Sequence, residues 1–339
     1  MKLPEPNNSI NNLINKYHEL KQELPRYHLG ASQLGHPCDR WLWLSFRWAI
    51  IQKFDGRLLR IFRRGKNEEA IIISDLRNIG MKVKANASQE WVNFDSHISG
   101  SIDAIIEYGV PEAPTKPHIA EFKTHSKKSF DELVKNGVEK AKFEHFVQMQ
   151  IYMYGKKIDR ALYYAVCKDN DEIYTERLSL NKEIAEKYIN RGKAITMSDN
   201  MPPPLSNDPT WYQCRFCAAH SFCFETKLST EVNCRTCANV TPKADSTFYC
   251  EKWQDTIPNQ HQYAGCESHV LHPDLVPWQR SESNNEWQAV YIINNRKVKN
   301  GEPDFDCYAS KEIIANPIAC TDPDDFMIEA RKEGGRVTG

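Results

Sequence analysis

The sequence has no apolar run approaching the roughly 20 residues that a bilayer requires, which excludes a membrane-spanning helical chain. Its first residues, MKLPEPNNSI, carry neither an apolar leader core nor an Arg-rich amphipathic stretch, so the cytosol is the expected compartment. Internal repeats and low-complexity tracts are missing as well. Hydrophobic residues at 40% and charged residues at 26% exclude a disordered or collagen-like chain. A length of 339 residues then predicts a protein of about two domains.

Net charge is also scarce, at -1, but it is unevenly placed. Residues 1–228 hold 33 Lys and Arg against 28 Asp and Glu, whereas residues 229–339 hold 11 against 17. A polyanion would meet the first part, above all near Lys53, Arg57, Arg60, Arg63, Arg64 and Lys66, where Asp55 alone opposes the positive charge. A solvated helix face is the plainer reading of such a run. Arg57, Arg60 and Arg64 share one face of the predicted helix and form the preferred surface for tracking a nucleic acid backbone.

Cysteine is abundant. Eleven is an odd number, and a reducing compartment disfavours disulfides, so clustered thiols point to metal. One group is Cys214, Cys217 and Cys223, with Cys38 far upstream; the other is Cys234, Cys237, Cys250 and Cys266. Cys167, Cys307 and Cys320 match no ligand spacing and read as small buried hydrophobes.

Periodicity predicts helices over 9–24, 38–51, 57–79, 139–156 and 181–197, and strands over 90–95, 98–107, 118–124, 160–167 and 172–178. The first two thirds therefore read as mixed α/β. Pro202, Pro203 and Pro204 end the last long helix, and a domain boundary is expected near residue 228. Beyond it, metal substitutes for a large core. Residues 287–299 suggest a hairpin turning at Asn294-Asn295, and the last fifteen residues read as frayed. Trp41, Trp43, Phe46 and Trp48 have the composition of a base-stacking surface, but their helical spacing fits a core better.

The chemistry concentrates in SGSIDAII and HIAEFKTHS. These place Asp103 on one strand and Glu121 and Lys123 on another. Residues two apart on a strand share a face, so Glu121 and Lys123 project together while Ala120 and Phe122 face the other way. Phosphodiester hydrolysis needs a hard cation held by oxygens, which two carboxylates supply. Lys123 would orient water or offset charge developing on phosphate. Taken alone, E-x-K also describes an exposed strand face carrying a pair of opposite charges.

Gly65 precedes Glu69 by four residues, and Gln148 precedes Tyr152 by four. In order, G-x3-E, G-x-I-D, E-x-K and Q-x3-Y resemble the PD-(D/E)XK nuclease superfamily in its RecB-like and λ-exonuclease-like branch, over roughly residues 28–225. The resemblance implies a restriction-endonuclease-like core, a central mixed sheet flanked by helices. It implies that Glu69, Asp103 and Glu121, with the Phe122 carbonyl, surround Mg2+ or Mn2+. Lys123 would be the catalytic lysine, and Gln148 and Tyr152 would support the site, with Gln150 as an alternative glutamine. Two features depart from the family: Ile102 replaces the proline, and Lys66 and Asn67 follow Gly65 where relatives often carry histidine. Adjacent Glu68 and Glu69 both remain open as the ligand.

Cys38 with Cys214, Cys217 and Cys223 resembles the [4Fe-4S] clasp of AddB-like members, tying the ends of a domain at 1–228; Zn2+ is the rival metal. Cys234, Cys237, Cys250 and Cys266 resemble a phage-type cysteine-rich tail, and a structural Zn2+ is expected there, with His269 or His272 as substitute ligands. The domain at 229–339 would be a small zinc-binding unit.

The expected activity is that of a divalent-metal-dependent DNA exonuclease of recombination or repair, phage-encoded and working in a bacterial host cytosol. Its acidic tail would dock an annealing protein, a helicase or another recombination partner. A non-catalytic DNA-binding module of the same fold is the alternative, and endonuclease action also remains open.

Overall fold

The computed structural model of the chain describes residues 9–85, 90–94 and 96–338. Position 95 of the expected strand 90–95 and the last position of the expected frayed end lie outside them. Among the described residues no helix is long and apolar enough to cross a membrane.

Two compact units emerge: residues 9–36, 52–85, 90–94 and 98–193 form the first, and residues 37–51, 96–97 and 194–338 the second. In chain order the elements are α1 (Ile10–Glu19), β1 (Leu29–Gly30), α2 (Asp39–Phe46, in the second unit), α3 (Gly56–Asn78), β2 (Lys82–Lys84), β3 (Glu90–Phe94) and β4 (Ile98–Ile102). They continue with β5 (Ala104–Tyr108), β6 (His118–His125), α4 (Lys127–Ala141), α5 (Phe143–Lys156), β7 (Arg160–Cys167), β8 (Ile173–Ser179) and α6 (Lys182–Met197).

The first unit is mixed α/β, as expected. A sheet in the order β2-β5-β6-β7-β8 has β6 and β7 parallel and its other neighbours antiparallel. A second sheet has the order β1-β4-β3. Ala120 and Phe122 of β6, with Leu162, Tyr164 and Val166 of β7, bury one face of the larger sheet against Ile72 and Leu76 of α3. That helix starts where the Asp55 side chain accepts the Leu58 N–H at 2.7 Å, closing one of its free amide donors. The opposite face lies under α4 and α5, so helices flank both sides of the sheet.

Two differences from the periodicity have local causes. The expected strand 98–107 breaks at Asp103, because Ile102 pairs with Glu90 in the smaller sheet while Ala104 pairs with Ala120 in the larger one. Helix α4 escaped the pattern because Gly137, at φ +73°, interrupts its helical register.

The second unit continues with α7 (Tyr212–Arg215), β9 (Val240–Pro242), β10 (Phe248–Cys250), β11 (Asp255–Thr256), β12 (Gln279–Ser281), β13 (Ala289–Ile293), β14 (Arg296–Asn300), β15 (Cys307–Tyr308), α8 (Ser310–Ala315), α9 (Pro317–Thr321) and α10 (Asp325–Lys332). Strands β13 and β14 form the anticipated hairpin, with Asn294 at φ +49° and Asn295 at φ +62°, as a tight primed turn requires. The last fifteen residues are not frayed throughout: α10 buries Arg331, which binds Glu312 at 2.7 Å and the Asp304 and Cys307 carbonyls.

The boundary expected near 228 falls inside this unit. Ser229 Oγ donates to the Ala49 carbonyl at 2.7 Å, Asn233 to the Trp48 carbonyl at 3.2 Å, and Arg235 to the Phe46 carbonyl at 3.0 Å. The Arg235 guanidinium also lies 3.8 Å from the Trp48 ring centroid and 4.2 Å from that of Phe248. Trp43, Phe46 and Trp48 are accordingly core residues.

Gly100 of β4 lies where a Cβ would come within 2.5 Å of the Tyr152 hydroxyl and 3.0 Å of the Ala31 Cβ. Gly100→Ala should therefore destabilise the protein by about 1–3 kcal/mol through overpacking. Urea unfolding measures this, and an unchanged midpoint would contradict the close approach.

Candidate functional site

The strand alternation read from the sequence is realised in β6. Glu121 is fully buried, Lys123 keeps 27% of its side chain exposed, and the Lys123 ammonium contacts Glu121 Oε1. Asp103 reaches the same place by a different route. Released from both ladders at the switch between sheets, it accepts the Phe122 N–H at 2.8 Å. Glu69 on α3 also acts on this group, since its charge raises both Glu121 and Lys123. Glu68 acts instead on Tyr164, which points into the core cluster. Of the two adjacent glutamates, it is the charge of Glu69 that Glu121 and Lys123 feel.

Glu121 and Lys123 therefore feel the charges of both Asp103 and Glu69. Burial, then repulsion from Asp103, pushes Glu121 up to about 8, against the pull of Lys123. Burial also raises Asp103, opposed by Lys123 and by the Phe122 amide. Lys123 is raised because attraction from Glu121 and Asp103 outweighs its own desolvation. Burial comes first and negative charge adds to it, and a divalent cation is the partner that would balance that charge. Glu121 Oε2 supplies a second sign: it is buried and has no hydrogen-bond partner. An unpaired carboxylate oxygen at that depth suits a metal ligand.

Helix α5 overlies this face. Gln148 and Tyr152 are 6% and 2% exposed, and the Gln148 amide donates to the Tyr152 hydroxyl at 3.4 Å. The charges of Glu121 and Asp103 both raise Tyr152. The alternative Gln150 is occupied elsewhere, donating to the Ser179 carbonyl at 3.2 Å and accepting the Asn181 N–H at 2.7 Å. Periodicity did not single out His125, His145 and Tyr163, which stand beside Lys123 and Glu121 on the same side of the sheet. The signal was available for His125, two residues beyond Lys123 on β6.

Of the three expected backbone-tracking arginines, two have intramolecular partners. Arg60 donates to Asn15, and Arg64 to the Lys168 carbonyl at 3.0 Å. Arg57 is exposed.

Cys38, Cys214, Cys217 and Cys223 influence one another electrostatically, and burial raises the last three, with Arg40 pulling Cys223 back. Cys38 accepts the Trp41 N–H and Cys217 the Ala219 N–H, each at 3.4 Å. In the second group, burial and then the neighbouring cysteines push Cys234 up to about 12, while Cys237 is raised to about 11, chiefly by burial. Among the described residues, no group of three or more His, Cys, Asp or Glu side chains stands at metal-binding geometry. Both ring nitrogens of His269 are engaged, with Ser310 at 2.8 Å and Thr236 at 3.2 Å. His272 Nδ1 accepts the Asp274 N–H at 3.2 Å. Cys167, Cys307 and Cys320 are buried.

No family model and no curated protein matches the chain. Among solved structures, the protein SSO0001 is 16% identical at a TM-score of 0.39, with 64% of this chain and 97% of that one covered. An alkaline exonuclease from Laribacter hongkongensis is 14% identical at 0.35, covering 53% and 90%. A phage-related exonuclease from Haemophilus somnus is 20% identical at 0.28, covering 40% and 68%. Likeness at this level carries no functional weight.

The raised Glu121 makes a pH prediction for metal-free protein. Its folded form holds a proton that the unfolded chain releases above the ordinary value of 4.5, so this stability is complete below that pH and lost as pH rises through about 8. Thermal melts in EDTA from pH 5 to 8.5 should fall more steeply for wild type than for Glu121→Gln. Stabilisation by Mn2+ should grow over the same window, because the ligand must lose its proton. Equal slopes in the two proteins would contradict the assignment.

Proposed function

We propose that the chain is a divalent-metal-dependent nuclease that hydrolyses DNA phosphodiesters, acting as an exonuclease in recombination or repair. One observation carries the reading: Glu121, whose Oε2 is buried without a hydrogen-bond partner, contacts Lys123 and feels the charges of Asp103 and Glu69. The motif order G-x3-E, G-x-I-D, E-x-K and Q-x3-Y, with its resemblance to PD-(D/E)XK nucleases, selects phosphodiester cleavage from the reactions that an acidic cation site permits.

Asp103 and Glu121 would hold Mg2+ or Mn2+, with Glu69 and the Phe122 carbonyl completing the set. When bound, the ion supplies Lewis acidity toward phosphate and water. The remaining work belongs to the side chains. Lys123 lies at the solvent-facing edge of the acidic group, where it can direct a water at phosphorus and offset charge gathering on the phosphoryl oxygens. A P–O bond to water forms, the P–O bond to the leaving nucleoside oxygen breaks, and a proton goes to that oxygen. Gln148, whose amide donates to the Tyr152 hydroxyl, would support the site from α5.

The first cysteine group is proposed to hold a [4Fe-4S] cluster, with Zn2+ as the competing occupant, and the second a structural Zn2+. Engagement of His269 and His272 elsewhere favours the four-thiolate set in the second. The acid-rich tail suits a protein partner better than a polyanion.

Digestion of linear DNA with Mg2+ and with EDTA tests the activity. Asp103→Ala, Glu121→Ala and Lys123→Ala should each lower the rate by about 100-fold or more. Cleavage by Asp103→Ala at the wild-type rate would refute the reading. Anaerobically purified protein should be brown with broad visible absorbance; a colourless protein containing zinc alone would assign both cysteine groups to Zn2+.

A further inference from the structure

One hydrogen-bonded chain beside the acidic group is not accounted for by cation binding. Tyr163 pairs with Glu121 in the parallel register of β6 and β7 and is completely buried. Its hydroxyl lies 2.9 Å from His125 Nε2 and 2.9 Å from His145 Nδ1. His125 Nδ1 continues the chain to Ser129 Oγ of α4 at 3.2 Å. A phenol has a single proton, so Tyr163 donates to one imidazole and accepts from the other, and the tautomers of the two rings are linked. Burial, and then the charge of Lys123 for His145 and of Lys142 for His125, holds the two rings to about 2 and about 4. Both imidazoles are therefore neutral near pH 7, and the charges nearby are the ammonium groups of Lys123 and Lys142.

The network joins four elements at the level of the site. His125 is on β6 with Glu121 and Lys123, Tyr163 on β7, Ser129 on α4, and His145 on α5 one turn before Gln148. Stability alone does not call for it, since apolar side chains of similar volume fill such a position without desolvating three polar groups. Preorganisation does, because a reacting group displaced by about 1 Å costs about 100-fold in rate.

We propose that Tyr163, clamped between His125 and His145, is a positioning residue that locks β6 to α5 so that Lys123 and Gln148 keep their places beside Glu121. The inference rests on the nuclease reading and assigns residues that reading does not use.

Steady-state cleavage of linear DNA in Mg2+, well below the melting temperature, separates the two. Tyr163→Phe removes only the hydroxyl and should lower kcat by about 10- to 100-fold, with KM for DNA changed less than about twofold. His145→Asn, which keeps a polar atom near the Nδ1 position, should retain more kcat than His145→Leu at equal KM. This pair leaves Tyr163 in place and decides the matter if the phenylalanine variant does not fold. Wild-type kcat in Tyr163→Phe, or equal kcat in the two His145 variants, overturns the positioning role alone. A wild-type protein no more active than Asp103→Ala overturns the nuclease reading, and the inference falls with it.

Discussion

The break between β4 and β5 is the constraint on which the acidic site depends. Ile102 is the last residue paired in one sheet and Ala104 the first paired in the other, so Asp103 belongs to neither ladder. Its backbone is thereby free to turn, and its carboxylate takes the Phe122 amide, which comes from the strand carrying Glu121 and Lys123. One hydrogen bond joins the two halves of the acidic group. A continuous strand through position 103 would fix that side chain by alternation with Ala104 and leave no adjustment for the bond. The discontinuity that spoils the strand pattern is what makes the site.

The fold tolerates a costly arrangement here. A buried carboxylate oxygen without a partner costs about 1–3 kcal/mol, and like charges nearby add to it. Glu121 accepts both penalties, while residues of the opposite face, Ala120 and Phe122, anchor the strand in the apolar cluster with Ile72 and Leu76. Two-residue alternation separates the two duties cleanly. Even positions from 120 to 122 supply burial that stabilises, and odd positions from 121 to 125 hold polar groups that the burial makes electrostatically consequential.

Legibility in the sequence followed the range of the interactions. Alternation within β6 and the helical spacing of Gln148 and Tyr152 are local periodicities, and the strand and helix they predict are present. The choice between Glu68 and Glu69 was not legible, because adjacent residues on a helix differ by only about 100° and the phase of α3 is set by what Ile72 and Leu76 pack against. Tyr163 was hidden for a related reason: it reads as one more core aromatic in ALYYAVC, and only the parallel register opposite Glu121 distinguishes it from Tyr164. The contacts of Arg235 with Phe46 and Trp48 could not be read from the sequence, because they span more than 180 positions of chain. No local pattern encodes such a contact.

Arg235 also changes how the cysteine-rich unit is to be understood. A small domain with a thin apolar core ordinarily depends on its metal for folding. This unit instead buries a guanidinium against Trp48, Phe46 and Phe248 and satisfies it at the Phe46 carbonyl and at Gln262. Stacking of Trp48 on Tyr263, with centroids 4.5 Å apart, extends that core toward the loop before Cys266. The second cysteine group therefore borders a packed core built on Arg235, Trp48 and Phe248. Cys234 directly precedes Arg235, and Cys237 follows it by two residues. The turn that presents the two thiols is thus the turn that carries the guanidinium, and thiol geometry and core packing are set by the same few backbone torsions.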